Sequence, residues 1–259
     1  MELTVIGAGP AYTDRRGAAS SSYLVRSGDA ALLLDLGQGA FANLAATLEP
    51  SGLTAVIVSH LHPDHFVDLV PLRHYLTWEF KPARRVRVVG PRCLGDRLDA
   101  LNGQPNFAAV ALDVEALVEG RQRVGPFEVE ARLVAHTSES YAFRVTGSPE
   151  LTRSRATSNG PMPGLVYSGD CGKAEDLLPL IHPGDTLLSE ASFGAGPVAP
   201  GAQHITSGEA ARIATTGHAA RLLLTHVLSG YSRDAALASA RAGFSGPVQL
   251  VTEGDRFEI

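Results

Sequence analysis

A run of six residues, HLHPDH at positions 60–65, contains four side chains that can bind a metal ion. It directly follows residues 54–59, whose β-branched apolar pattern predicts a strand buried on both faces. Alternation along an extended segment puts the first two histidines on one side, and the turn that follows can present Asp64 and His65 to a second position. Imidazole and carboxylate groups are ligands that zinc accepts, so the run predicts a metal site at the end of a strand.

Three further candidate ligands, His136, Asp170 and His226, stand just beyond other apolar runs. Those runs predict strands at residues 127–135, 165–168 and 221–225. Any one of the three residues alone could be a capping aspartate or a histidine satisfied by a backbone carbonyl. Together with the histidine run they indicate one shared site, because the ends of neighbouring strands converge on a common edge of a sheet.

The elements that must position these residues are short strands alternating with helices. Further strands are predicted at residues 3–6, 23–26, 31–35, 86–89, 142–145, 186–188 and 248–251, and helices at 41–48, 66–75, 91–101, 174–181, 207–216 and 233–242. The helix at 207 has a clear start signal, with Thr206 as N-cap and Glu209 at the capping-box position. Because no linker or composition break divides the chain, we expect one α/β domain, residues 1–259, with two β-sheets and helices outside.

Composition sets the broad class of protein. The 259 residues are 44% hydrophobic with a net charge of −5, which is typical of an ordinary globular protein and disfavours non-specific coating of nucleic acid. No run reaches the roughly 18 apolar residues of a membrane span, and the start shows no secretory signal. Two cysteines suit a reducing cytoplasm. Cys171 directly follows Asp170, and a packed thiol is favoured there over a metal ligand.

The sequence resembles the metallo-β-lactamase-fold hydrolases, and within them the ribonuclease Z-like phosphodiesterases. The matching stretches are HLHPDH, His136, SGD at 168–170, SEAS at 189–192, LLLDLGQG at 32–39, and His204 to His226. RLVAHTSESYAFRV, YSGDCG and LLLTH resemble small actinobacterial-type cyclic-nucleotide phosphodiesterases in particular. The resemblance implies a four-layer αββα sandwich of two mixed β-sheets with helices on the outer faces.

The resemblance also implies how the ligands divide between two divalent metal ions. One ion would be bound by His60, His62 and His136, the second by Asp64, His65 and His226, with Asp170 bridging them. Two cations about 3.5–4 Å apart can share a bridging hydroxide and clamp a phosphodiester. Zinc is the expected metal, with manganese and iron as alternatives.

Proton transfer is expected from three residues that match the family pattern. Asp64 would also take a proton from the attacking water, His204 would protonate the leaving oxygen, and Glu190 would orient His204. The ribonuclease Z pattern commonly reads His-Glu-Ala-Thr where this chain has SEAS, so the glutamate is retained while its neighbours change. Asp35 either orients a ligand histidine or caps a turn, and the sequence leaves both interpretations open.

These residues predict a phosphodiesterase that attacks a small substrate, a cyclic nucleotide, through the bridging hydroxide. The alternatives are tRNA 3′-end processing and hydrolysis of a lactam, lactone or thioester. A tRNA-processing enzyme usually carries a long arm between its histidine and its bridging aspartate, but His136 and Asp170 are only 34 positions apart. The loop predicted at 147–164, with Arg153 and Arg155, is short for such an arm. The intact ligand set disfavours a non-catalytic binding module, and a homodimer is left open.

Overall fold

Fourteen strands form two seven-stranded sheets in a computed structural model that describes residues 1–147, 162–198 and 201–259. The first sheet has the order β14-β1-β2-β3-β4-β5-β6 and the second the order β13-β12-β11-β10-β9-β8-β7. The strands are β1 Glu2–Gly7, β2 Ser22–Ser27, β3 Ala30–Leu34, β4 Ala55–Ile57, β5 Val86–Gly90, β6 Leu112–Ala116, β7 Gly120–Val124, β8 Phe127–Leu133, β9 Tyr141–Gly147, β10 Leu165–Tyr167, β11 Thr186–Glu190, β12 Arg221–Thr225, β13 Val248–Leu250 and β14 Arg256–Glu258.

Each sheet is mixed. Strands β3 to β6 are parallel, as are β10 to β13, while the remaining neighbours pair antiparallel. The parallel strands read as continuous apolar runs because both of their faces are covered. Their carboxyl ends lie at one edge, which is where ligands bind in open α/β sheets.

Within the described ranges, six α-helices cover the outer faces of the sheets. They are α1 Ala40–Thr47, α2 Pro63–Phe66, α3 Leu69–Trp78, α4 Leu94–Asn102, α5 Ser207–Thr216 and α6 Arg233–Gly243, with 3₁₀ turns at Pro50–Gly52, Ala108–Val110 and Ala174–Leu177. One buried cluster lies between the sheets and includes Tyr23, Phe127, Phe143 and Tyr167. Two others lie between the first sheet and α1, α3 and α4, and between the second sheet and α5 and α6. This layering confirms the predicted αββα sandwich.

Three predicted helices differ from the structure. The helix expected at 91–101 begins only at Leu94. Residues 66–75 were expected to form one helix, but α2 begins earlier, at Pro63, and α3 starts after Asp68, whose carboxylate accepts from the backbone N–H of Phe41 at 2.8 Å. The helix expected at 174–181 is only a 3₁₀ turn, because Pro179 has no N–H to donate and its ring obstructs the preceding turn.

The sequence did not predict the edge strands β6, β7 and β14, which are short and partly polar. β8 also ends earlier than expected, so that His136 lies in the turn beyond it. A loop was expected at 147–164, with Arg153 and Arg155. Residues 148–161 of that loop, including both arginines, lie outside the described residues. None of the helices in the described ranges combines the length and apolar character that a bilayer crossing requires.

Candidate metal centre

Two groups of histidine and aspartate side chains meet at the carboxyl edge of both sheets, and a further group, Glu190, His204 and His226, shares His226 with the second. The first group is His60, His62, His136 and Asp170, and the second is Asp64, His65, Asp170 and His226. Within each group the potential ligand atoms all lie within 4.8 Å of one another. The structure therefore brings together all seven residues that the sequence proposed as ligands, divided as the resemblance implied.

Asp170 belongs to both groups through different oxygens. Its Oδ2 lies 3.7 Å from the Nε2 atoms of both His60 and His136. Its Oδ1 lies 3.2 Å from Nε2 of His65 and 3.6 Å from Nε2 of His226. One buried carboxylate thus faces a histidine pair on each side, which is the arrangement a bridging ligand requires.

Three buried atoms at this point have no hydrogen-bond partner within the described chain: Nε2 of His60, Nε2 of His65 and Oδ1 of Asp170. Buried polar atoms without a partner are rare, and each calls for an explanation. All three atoms belong to the two donor groups, and imidazole nitrogens and carboxylate oxygens are atoms that a divalent cation would satisfy. The residues present therefore fit the divalent metal that such a donor set binds.

Asp35, at the end of β3, fixes the orientation of two of these histidines. Its Oδ2 accepts from Nδ1 of His65 at 2.7 Å, from the Ser59 hydroxyl at 2.7 Å and from the Tyr167 hydroxyl at 2.6 Å. The Ser59 oxygen in turn lies 3.1 Å from Nδ1 of His60. With Nδ1 engaged in this way, each ring presents Nε2 to the centre. Of the two interpretations of Asp35, orientation of a ligand histidine is the one the structure supports.

The backbone at the site adopts conformations that most residues avoid. Asp35 and His226 have φ of 59° and 61°, the left-handed region, which costs of order 1–3 kcal/mol for a non-glycine residue and concentrates at functional sites. Gly169 has φ of 55° immediately before Asp170. A Cβ at Gly37 would lie 1.9 Å from the carbonyl oxygen of Asp64, so only glycine permits this close approach beneath the ligand run.

Glu190, the last residue of β11, forms a second orienting carboxylate. Its Oε1 accepts from Nδ1 of His204 at 2.9 Å and from the backbone N–H of Cys171 at 2.8 Å. Its Oε2 accepts from the hydroxyl of Ser192 at 2.5 Å. Burial is the largest single effect and opposes protonation of His204, but the hydrogen bond to Glu190 together with the negative charges of Glu190 and Asp170 outweighs it, so the pKa of the imidazole is raised. The predicted His204–Glu190 pair is therefore present, with His204 only partly exposed.

Charges at the centre compensate one another. Burial disfavours the anionic form of Asp170, yet His226 and His65 hold its pKa well below the usual range. Burial likewise opposes the charged form of His65, but the carboxylates of Asp170 and Asp35 hold its pKa well above the usual value. Burial, with the added effect of His65, keeps the pKa of His60 well below its usual value.

Sequence reasoning missed three hydroxyls that organise the site: Ser59, Tyr167 and Ser192. Each stands within three residues of a predicted site residue along the chain, but no sequence signal indicates that its hydroxyl reaches the carboxylate of Asp35 or Glu190. The buried thiol of Cys171 contacts the carbonyl of Lys173 at 3.1 Å and lies outside both donor groups, in line with the expectation of a packed cysteine.

Comparison with known proteins shows which family this chain belongs to. The beta-lactamase superfamily domain matches residues 31–227. An uncharacterized protein of Mycobacterium leprae is 33% identical over 100% of this chain and 89% of its own length. A ribonuclease Z of Halobacterium salinarum is 27% identical over 100% of this chain and 97% of its own. The crystal structure of the metallo-beta-lactamase fold protein YhfI from Bacillus subtilis superposes with a TM-score of 0.84 at 28% identity, covering 99% of both chains.

The family match spans most of the chain and includes all seven candidate ligands, and the solved structure superposes over 99% of the chain. The fold, the metal-binding side chains and the relatives all indicate the same family of metallo-hydrolases. The chain belongs to the beta-lactamase superfamily and is a metal-dependent hydrolase of the metallo-beta-lactamase fold.

Proposed function

We propose that the chain is a dinuclear phosphodiesterase whose substrate is a small phosphodiester, specifically a cyclic nucleotide. The observation that carries this proposal is the position of Asp170, with one oxygen facing each donor group and the His204 ring beside it, Nδ1 of His204 lying 3.8 Å from Oδ2 of Asp170. A site built in this way offers room for two cations and a proton donor around a single reacting centre.

Seven residues of the chain would bind the two metal ions. His60, His62 and His136 would bind one ion, Asp64, His65 and His226 the other, and Asp170 both. Zinc is the metal we expect, with manganese or iron as alternatives. When bound, two such ions supply Lewis acidity that generates a nucleophile from water near neutral pH and neutralises phosphodiester oxygens.

Proton transfer is assigned to side chains around the ligands. Asp64 places Oδ2 at 3.1 Å from Nε2 of His226, at the edge of the centre, where it can also accept a proton from the attacking water. His204, anchored through Nδ1 to Glu190, has Nε2 left to donate a proton to the departing oxygen. A leaving alkoxide such as that of a ribose needs this proton, whereas an acidic phenol does not.

The second candidate function is tRNA 3′-end processing, which the ribonuclease Z of Halobacterium salinarum supports by its name and its full-length match. The short separation of His136 and Asp170 and the net charge of −5 favour a small substrate, because tRNA binding draws on many basic contacts. Hydrolysis of a lactam, lactone or thioester ranks third, since the His204–Glu190 pair is suited to a poor oxygen leaving group. A homodimer also stays a prediction.

The test compares kcat/KM of the metal-loaded protein for cyclic AMP, bis(p-nitrophenyl) phosphate, a tRNA precursor and nitrocefin. We expect the two phosphodiesters to be hydrolysed, with cyclic AMP preferred over the tRNA precursor. An Asp170→Ala variant, assayed in parallel, excludes contaminating activity. Preference for the tRNA precursor, or activity on nitrocefin alone, would overturn the proposal.

A further inference from the structure

Ser192 stands between the proposed proton-donating pair and the second metal position. Its hydroxyl lies 2.5 Å from Oε2 of Glu190 and 3.0 Å from Nδ1 of His226. We infer that Ser192 is a positioning residue that transmits the orientation of Glu190 to His226 and thereby sets the affinity of the second metal position. The inference rests on the proposed function, because His226 is a metal ligand only under it.

The direction of each hydrogen bond follows from the donors available. Glu190 accepts from the backbone N–H groups of Cys171 and Ser192 and from Nδ1 of His204, so both carboxylate oxygens act as acceptors. The Ser192 hydroxyl has one proton, and at 2.5 Å that proton is donated to Glu190. The serine oxygen then has only lone pairs left for its two imidazole neighbours, Nδ1 of His226 at 3.0 Å and Nδ1 of His204 at 3.2 Å, so Nδ1 of His226 must carry a proton.

A proton on Nδ1 leaves the lone pair of His226 on Nε2. That atom lies 3.1 Å from Oδ2 of Asp64 and 3.6 Å from Oδ1 of Asp170, within the second donor group. The ring is thus presented to the metal position in the tautomer that can bind a cation. Without the serine, the buried imidazole would be free to place its proton on Nε2, where it would block the ligand atom and donate to Asp64 instead.

The two segments are also joined through their backbones. The N–H of Leu228 donates to the carbonyl of Ser192 at 3.1 Å, and the N–H of His226 donates to Ala8 at 3.1 Å. Ser192 is fully buried and His226 is 3% exposed. The distance between the hydroxyl and the ring is therefore set by packed, hydrogen-bonded chain rather than by a mobile side chain.

A similar arrangement of one carboxylate, one serine and two histidines lies on the other side of the centre. Asp35 holds His65 directly and His60 through the hydroxyl of Ser59, as Glu190 holds His204 directly and His226 through Ser192. Each carboxylate therefore controls two imidazoles, one of them by way of a serine. For Glu190 this means that its effect extends beyond His204 to metal binding.

The inference is tested by zinc titration of metal-stripped protein against a chromophoric chelator, which reports the number of sites and their affinities. Wild-type protein should bind two equivalents. In Ser192→Ala the second equivalent should bind about 10–100-fold more weakly, as is typical when an outer partner of a ligand is removed. Ser192→Thr, which keeps the hydroxyl, should restore most of the affinity.

Ser189→Ala is the matched control. Ser189 is equally buried, lies three residues away, and donates to the backbone carbonyl of Glu190 at 2.8 Å without contacting a candidate ligand. It should bind both equivalents with wild-type affinity. Equal weakening in Ser189→Ala and Ser192→Ala would overturn the inference in favour of a general packing effect.

The outcomes separate this inference from the function on which it rests. Wild-type protein that binds fewer than two equivalents overturns the dinuclear proposal itself. Two equivalents in wild type with unchanged affinity in Ser192→Ala overturns only the role of Ser192. A measurement that needs no variant is nitrogen-15 correlation NMR of the histidines in zinc-loaded wild type. A proton found on Nε2 of His226, rather than on Nδ1, would also overturn the inference.

Discussion

The hydroxyl of Tyr167 donates to Oδ2 of Asp35 at 2.6 Å, from β10 in the second sheet to the end of β3 in the first. Tyr167 is 1% exposed and Asp35 fully buried. Because the same oxygen accepts from His65, a residue of one sheet steadies the carboxylate that orients a candidate ligand of the other. The relative position of the sheets is thus linked to the geometry of the metal centre.

Tyr167→Phe should therefore weaken both metal binding and folding. The loss of one donor to a buried carboxylate should lower the free energy of unfolding by about 1–3 kcal/mol. Zinc affinity should fall by about tenfold, the lower end of the effect of an outer partner, because Asp35 keeps its other donors. Urea unfolding of the metal-free protein and chelator competition measure the two effects separately.

Tyr23→Phe provides the control for this prediction. Tyr23 also joins the sheets, through a 2.7 Å hydrogen bond to the hydroxyl of Thr225, and is also buried, but among the described residues its hydroxyl is not hydrogen-bonded to Asp35. We expect a comparable loss of stability with little change in zinc affinity. If both variants lost affinity equally, the contact between Tyr167 and Asp35 would have no specific role at the centre.

His204→Ala should leave metal content unchanged and slow the hydrolysis of substrates with poor leaving groups by about 10²–10⁴-fold. The reason is that His204 contacts Glu190 rather than completing either donor group that contains Asp170. Cyclic AMP should be affected strongly and bis(p-nitrophenyl) phosphate weakly, since p-nitrophenolate leaves without a proton. Steady-state kinetics on both substrates and metal analysis measure this. Loss of metal in His204→Ala, with His74→Ala normal, would show that His204 is a ligand.

The candidate ligands could be predicted from sequence because each follows a strand. Thr225 ends β12 before His226, and β4 ends just before the histidine run, so the parallel strands deliver both to one edge. The Thr206–Glu209 capping box could also be predicted from the sequence, and its two reciprocal hydrogen bonds are confirmed. In these cases the information is local: a residue type at a fixed offset from an apolar run.

Other features depend on partners distant in the chain. β6 has charged residues at alternate positions, and this polar pattern resembles that of a loop. In the structure Glu115 of β6 forms an ion pair with Arg87 of β5, with an N–O distance of 2.8 Å. The hydroxyl of Tyr167 meets Asp35 across 132 positions. Such contacts arise only when the two sheets pack, which no periodicity within one segment encodes.

Removal of metal should destabilise the fold. The centre gathers unpartnered buried lone pairs on His60, His65 and Asp170, and a ligand that binds only the folded state stabilises it. Zinc at a thousandfold excess over its Kd should add about 4 kcal/mol to the free energy of unfolding. Thermal unfolding with zinc and with a chelator measures the difference, which should shrink in Asp170→Asn. A melting temperature independent of chelator would contradict metal binding at this centre.

A buried ion pair away from the centre should dominate the stability of the second sheet. Asp185 is fully buried and accepts from Nε of Arg144 in β9 at 2.7 Å, and from the backbone N–H groups of Gly164 and His182 at 2.7 and 2.9 Å. Asp185→Asn removes the charge and leaves the guanidinium of Arg144, whose side chain is only 10% exposed, with the Met162 carbonyl as an acceptor but without the carboxylate that neutralises it. The free energy of unfolding should fall by about 3–5 kcal/mol.

The neighbouring pair Arg121–Glu130 gives the contrast for Asp185→Asn. Its N–O distance is 2.8 Å, similar to that of the buried pair, but the two side chains are 60% and 25% exposed. Because water screens it, Glu130→Gln should cost at most about 1 kcal/mol in urea unfolding. Equal losses in the two variants would mean that burial does not decide the strength of these pairs. A larger loss for Asp185→Asn, with unchanged zinc affinity, would assign Asp185 to folding rather than to the metal centre.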